Sequence, residues 1–181
     1  YLDYIIITHP HLDHIDDILN FEALSPRVLL TPRDFNRDEI IRAAKDSDKP
    51  KYAKYFEICD RYSKDIEETD QNYVHKPENW GGVIINTFVP MFSDEKNINN
   101  YSVVTVLEFN ELKVVIPGDN EPKSWEKVKS NASFMKHIKD ADILLAPHHG
   151  RDSGFDLDIM QHINPRLTVI SDGRFCDTSA T

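Results

Sequence analysis

Apolar residues fall along this chain in two textures. The first is short, continuous and β-branched. Leu2 to Thr8, built around Ile5-Ile6-Ile7, reads as a buried strand, and Val28 to Leu30 as a second one stopped by Pro32. Val83 to Val89, Ser102 to Phe109, Lys113 to Ile116, Ile143 to Ala146 and Leu167 to Ser171 read as further strands. Asn110 and Glu111, between two of these runs, predict a tight hairpin turn. The second texture has helical spacing. A short helix is expected from about Asp13 to Asn20, with Ile15, Ile18 and Leu19 facing inward. Pro122 to Ser130 is another, with Trp125 and Val128 inward, and Asp156 to Ile163 a third. Between Asp34 and Asp70, Ile40, Ile41, Ala44, Tyr52, Tyr55, Phe56 and Ile58 recur at helical spacing. That predicts two amphipathic helices split near Pro50, forming either a cap or insertion beside a site or a surface pair of the main fold. Gln71 to Gly82, polar and carrying Pro77 and Gly81-Gly82, reads as a loop.

Strands alternating with helices predict an α/β layered fold. No linker or repeat interrupts the 181 residues, so a single domain over 1–181 is expected. Apolar residues at 40% support a packed core. No apolar run approaches the roughly 20 residues of a membrane-spanning helix, and no secretory signal is visible. The first residue is Tyr1, so the sequence reads as a fragment or a processed chain. Cys59 and Cys176 lie in no CxxC pair and read as ordinary thiols, which favours a reducing cytoplasm. Acids outnumber bases by 31 to 21, and the net charge of −10 opposes non-specific attraction to nucleic acid. It leaves room for a polyanionic substrate, because bound divalent ions would make a site locally positive.

The chemistry is concentrated at three strand ends. Ile7-Thr8-His9-Pro10-His11-Leu12-Asp13-His14 sets three histidines and an aspartate within six positions, directly after the first strand. Imidazole nitrogen and carboxylate oxygen are ligands of zinc and similar divalent ions. Val114-Val115-Ile116-Pro117-Gly118-Asp119-Asn120 places a carboxylate past a glycine at a second strand end. Leu144-Leu145-Ala146-Pro147-His148-His149-Gly150 presents twin imidazoles at a third. Open α/β folds bind ligands at strand carboxyl ends, so these clusters are expected to share one cleft. His137 and His162 fall on predicted helices and read as surface or core residues.

With these motifs the chain resembles the metallo-β-lactamase fold superfamily, whose signature is His-x-His-x-Asp-His. Within it, three stretches are similar to the hydrolase domain of ComEC-type competence proteins and their free-standing relatives. They are Thr8 to His14, then Asn99-Asn100-Tyr101-Ser102-Val103-Val104 leading to Pro117-Gly118-Asp119, then Pro147-His148-His149-Gly150. The match covers most of the chain outside residues 34 to 80. The resemblance implies a four-layer αββα sandwich, truncated at the N-terminus and carrying a helical insertion near residues 34–70. It also implies a binuclear site for two divalent ions, zinc or manganese. His9 and His11 would hold the first metal, Asp13 and His14 the second, and Asp119 would bridge them. Of the pair at 148 and 149, His149 is favoured as the last ligand, with His148 nearby, orienting a ligand or touching substrate.

Two departures accompany the resemblance. Many members supply a further histidine to the first metal from the interval before Gly-Asp, where this chain offers only His75, in a polar loop. Opening strands and an Asp-x-Gly turn before the first motif are missing, and the chain stops soon after its last strand, at Asp177 to Thr181. A partial copy is expected to leave a strand edge uncovered.

The reaction so implied is two-metal hydrolysis, with Asp13 orienting the attacking water and His148 as proton donor to the leaving group. Thr8 and Asp16 are candidate partners for fixing imidazole tautomers. A phosphodiester, in nucleic acid or a nucleotide, is the expected substrate. Hydrolysis of an ester, lactam or thioester, or a non-catalytic metal-binding module, are the alternatives.

Overall fold

A computed structural model of the chain describes residues 2–24 and 26–172; Cys176 and the stretch 177–181 lie outside them. The β-branched runs form strands in two sheets. In the smaller sheet β1 (Tyr4–Ile6) pairs in parallel with β2 (Val28–Leu30), Tyr4 opposite Val28 and Ile6 opposite Leu30. The larger sheet has five strands in chain order: β3 (Ile84–Phe88), β4 (Val104–Phe109), β5 (Leu112–Ile116), β6 (Ile143–Leu145) and β7 (Leu167–Val169). β3, β4 and β5 run antiparallel, whereas β5, β6 and β7 are parallel. Asn110 and Glu111 both take positive φ, 47° and 68°, and close the β4–β5 hairpin as a two-residue turn of the primed type expected there.

Each sheet has its own core. Ile7, Ile15, Ile18, Phe21 and Leu29 pack with Ile40, Tyr52, Tyr55, Phe56, Ile58 and Cys59. The second set comes from α1 (Arg37–Ala43) and α2 (Lys49–Arg61). The split between these helices falls just before Pro50, which occupies the first turn of α2, where its missing N–H costs nothing. The pair packs into the fold. It supplies more than half of the buried side chains that cover β1 and β2, and Tyr55 is locked inside by a 2.6 Å hydrogen bond between its hydroxyl and that of Thr31.

The second core joins Val104, Val106, Val115 and Leu144 of the larger sheet to Trp125, Val128, Phe134, Ile138, Ile159 and Ile163. These side chains ride on α3 (Pro122–Lys129), α4 (Ala132–Ile138) and α5 (Leu157–Ile163). Two sheets, each with its own helices, make an α/β arrangement compatible with a sandwich. Phe134 is fully buried with its ring 5.3 Å from that of Phe88. Phe134→Ala is expected to cost about 3–5 kcal/mol, read as a lower urea midpoint at unchanged slope.

One expected helix is absent. After the histidine loop the chain makes turns and then a 3₁₀ helix at Ile18–Ala23. Ile15, Ile18 and Phe21 are buried at intervals of three, the 3₁₀ repeat, while Leu19 is 53% exposed. Alpha-helical spacing had put Leu19 on the inner face and overlooked Phe21. No helix among the described residues is long and apolar enough to cross a membrane.

Candidate metal centre

The three chemistry-bearing strand ends meet where the two sheets join. Past β1, the Ile7 N–H bonds the Leu30 carbonyl at 2.9 Å, and the Thr8 carbonyl accepts from Val103 N–H of the other half at 2.9 Å. Clamped on both sides, the chain winds into a tight turn in which His14 N–H and Ile15 N–H both reach the His11 carbonyl, at 3.0 and 3.2 Å. Ile15, 2% exposed, anchors the turn in the first core. This coil gathers the side chains of His9, His11, Asp13 and His14.

Asp119 arrives from the end of β5. Gly118 turns with φ 63°, and the Asp119 N–H donates to Ser102 Oγ at 3.0 Å. Asn120 ties the turn down through Nδ2, bonded to the carbonyls of Pro117 and Ser102 at 2.6 and 3.0 Å. His148 and His149 arrive from β6. Their φ angles, 47° and 58°, are both left-handed, and the His148 N–H bonds the Gly118 carbonyl at 3.1 Å.

Asp119 Oδ2 is the hub. It lies 3.7 Å from His9 Nε2, 3.3 Å from His14 Nε2, 3.4 Å from His149 Nε2 and 4.0 Å from His148 Nε2. Two groups of potential ligand atoms share it: Asp13, His14, Asp119 and His149 in one, and His9, His11 and Asp119 in the other. The structure thus brings His9, His11, Asp13, His14, Asp119 and His149 together, with His148 at the same hub.

Burial and neighbouring charge put His9, His11, His148 and Asp119 in ligand form. Burial, reinforced by the neighbouring His14, lowers His9 to a pKa of about 2, and burial lowers His11 and His148 as well. Burial would push Asp119 up, yet His14, His9 and His149 around it pull its pKa down to about 2. His14 is the exception, since the Asp119 and Asp13 carboxylates outweigh burial and raise it. Neutral imidazoles around an ionised carboxylate are what a divalent ion requires. One fully buried nitrogen, His9 Nε2, makes no hydrogen bond. A buried polar atom left unpaired carries a desolvation penalty that a coordinated cation would remove, so the donor set fits a metal.

The residues that aim the imidazoles are hydroxyls. Thr8 Oγ1 is 3.2 Å from His9 Nδ1 and 3.1 Å from His14 Nδ1. Ser102 Oγ, fully buried, lies 3.2 Å from His9 Nδ1. Contacts on the outer Nδ1 atoms hold the rings with Nε2 facing Asp119, so the hydroxyls orient the candidate ligands. Thr8 was a candidate for this work from sequence, and Ser102 was not. Asp16, the other candidate, forms an ion pair with Lys51 instead. His75 does not complete the first group, because its ring contacts the Ile85 carbonyl at 3.1 Å. His137 sits with Glu108 and Asn86, and His162 against the Met135 carbonyl, both away from the cluster.

No family model matches the chain. The chain is similar to ComE operon protein 3 of Bacillus subtilis (strain 168). The two are 24% identical over 174 residues, which is 96% of this chain and 20% of that protein. YcaI of Escherichia coli (strain K12), named as uncharacterized, is 24% identical over 96 residues, covering 53% of this chain and 12% of its own length. The chain thus spans a fifth or less of the curated proteins it matches. The alignment with ComE operon protein 3, through its extent, takes in all three strand-end clusters.

Proposed function

We propose that this chain is a metallo-β-lactamase-like, ComEC-type hydrolase domain that holds two divalent ions, zinc or manganese, and cleaves a phosphodiester in a nucleotide or nucleic acid. The observation that carries the reading is the convergence of side chains from three separate strand ends on one oxygen, Asp119 Oδ2. A closed structural zinc site uses four ligands, usually sulfur or nitrogen; this cluster offers carboxylates and more than four donors, which suits an open binuclear site.

His9 and His11 would hold the first position, Asp13, His14 and His149 the second, and Asp119 would contribute to both. Bound ions at such a site supply a hydroxide near neutral pH and stabilise charge on the scissile group. The chain supplies the alignment. Thr8 and Ser102 hold the His9 and His14 rings, and Asp119 faces both positions. Asp13, with its side chain 58% exposed and Oδ2 3.0 Å from His149 Nε2, stands on the solvent side, where it orients the attacking water. Arg151, at the rim with Nη1 3.3 Å from His148 Nε2, adds a guanidinium suited to a phosphate. That cation favours a phosphodiester over a neutral carbonyl substrate.

The test is an assay panel with manganese or zinc: a chromogenic phosphodiester against a β-lactam and a thioester. Phosphodiester turnover is expected, lost in His11→Ala and in Asp119→Asn. Full turnover in both variants would overturn the mechanism. Turnover of the lactam or thioester alone would reassign the substrate.

A further inference from the structure

The first ligand group has three donors from the chain, His9, His11 and Asp119, where the second has four, and His75 is occupied elsewhere. The twin histidines bear on this difference. Successive residues of a strand point to opposite faces, which would send one of the two rings away from the cleft. Consecutive left-handed residues, φ 47° and 58°, break that alternation and bring both Nε2 atoms toward Asp119 Oδ2, at 4.0 Å for His148 and 3.4 Å for His149. Non-glycine residues occupy this region at a cost, and two in a row mark a conformation imposed by the surrounding structure.

Hydrogen bonds fix each ring's tautomer. His149 Nδ1 lies 2.8 Å from the Ser171 carbonyl, which only accepts, so Nδ1 bears the proton and Nε2 the lone pair. Its Nε2 lies 3.0 Å from Asp13, within the second ligand group. At His148, Arg151 Nη1 approaches Nε2 at 3.3 Å. A guanidinium only donates, so this Nε2 also carries a lone pair and Nδ1 bears the proton. Ser153 Oγ, at 2.6 Å, and Glu121 Oε1, at 3.4 Å, receive it. Glu121 is itself held by the side-chain amides of Asn97 and Asn99, at 2.7 and 2.8 Å. A carboxylate behind the outer nitrogen of an imidazole is the arrangement that orients metal-bound histidines. His148 is also among the groups whose charge is felt by both His9 and His11, the first pair of ligands.

We infer that His148, through Nε2, is the fourth ligand of the first metal position, and that Glu121 and Ser153 orient its ring. The inference rests on the binuclear reading above. It replaces the proton-donor role expected for His148, because the nitrogen facing the cleft carries no proton. Adjacent histidines thus divide between the two ions, 148 to the first and 149 to the second. Ligation at Nε2 displaces the Arg151 contact and frees that guanidinium for the substrate phosphate.

Cobalt(II) binding to the purified chain tests this without turnover. Equilibrium dialysis of the unaltered protein should count two ions; a count of one or none would remove the binuclear reading itself. His148→Cys and His149→Cys should each give the near-ultraviolet charge-transfer band of a thiolate–cobalt bond. Adding His11→Ala, which cripples the first position, should abolish the band of His148→Cys and spare that of His149→Cys. Glu121→Gln should weaken one cobalt ion ten- to a hundred-fold and leave the other unchanged. A His148→Cys band that survives His11→Ala, no band from His148→Cys while His149→Cys shows one, or two unaltered ions in Glu121→Gln would overturn the assignment.

Discussion

Asp119→Ala is expected to empty both metal positions and to reduce phosphodiester turnover by at least about 10³-fold, the scale of removing one strong electrostatic contact from a preorganised site. The size follows from shared geometry. His9, His14, His148 and His149 all direct Nε2 at the same carboxylate oxygen, between 3.3 and 4.0 Å away. On the binuclear reading, losing any one imidazole would remove one donor from one ion, whereas losing Asp119 would remove a donor from both. Bound metal measured by plasma mass spectrometry should fall from two ions per chain to well under one. His137→Ala is the control: its ring bonds Glu108 and Asn86 away from the cluster, and metal content and turnover should not move. Retention of two ions by Asp119→Ala would show that Asp119 does not bridge.

The same variant bears on folding. Asp119 is 3% exposed, and as an ionised group among imidazoles it is tolerable only because they surround it. Its folded pKa, about 2, lies below the ordinary aspartate value of 3.8. The stability it contributes to the metal-free chain is therefore present above pH 3.8 and is lost as pH falls toward 2. In chelator, the acid limb of the unaltered protein should be steeper over that interval than the limb of Asp119→Ala.

Much of the site was legible because its chemistry is local in sequence. His9 to His14 fall within one tight turn, and Asp119 and His148-His149 each follow an apolar run directly, so reading the ends of strands located them. The supporting groups were hidden because they act across the fold. Ser102 reaches His9 from 93 positions away, and Ser171 reaches His149 from 22. Nothing in an isolated serine distinguishes such a role from a solvated hydroxyl; only the stretch Asn99 to Val104 flagged that neighbourhood. Periodicity fared similarly. Long signals such as α2 and α3 survived because one face of each is buried. The stretch after His14 did not, because Ile15, Ile18 and Phe21 satisfy a repeat of three better than 3.6, and the tight turn before them leaves no room to start an α-helix. The segment between residues 34 and 70 looked separable by its charge. Its exposed face is charged, but its inner face is the core that β1 and β2 need.

Gly118→Ala is expected to destabilise the chain by about 2–4 kcal/mol and to weaken metal binding with it. At φ 63° an L-residue loses about 1 kcal/mol to the left-handed backbone alone. The added methyl group would also fall 2.8 Å from Ser102 Cβ and 3.0 Å from both Ser102 Oγ and Thr8 Cβ. Overpacking of this kind costs about 1–3 kcal/mol more. These two neighbours are the hydroxyl residues that aim His9 and His14, so whatever space the methyl gains is taken from the ligands' supports. Gly81 separates the two contributions. It has the same φ, 63°, with nothing within 4 Å of an added Cβ, so Gly81→Ala should show the backbone cost alone, about 1 kcal/mol, with metal affinity intact. Urea midpoints in chelator would measure both variants, and cobalt titration would follow the sites. Equal losses at the two glycines, or an unchanged titration for Gly118→Ala, would mean that Thr8 and Ser102 move aside freely and do not hold the imidazoles in place.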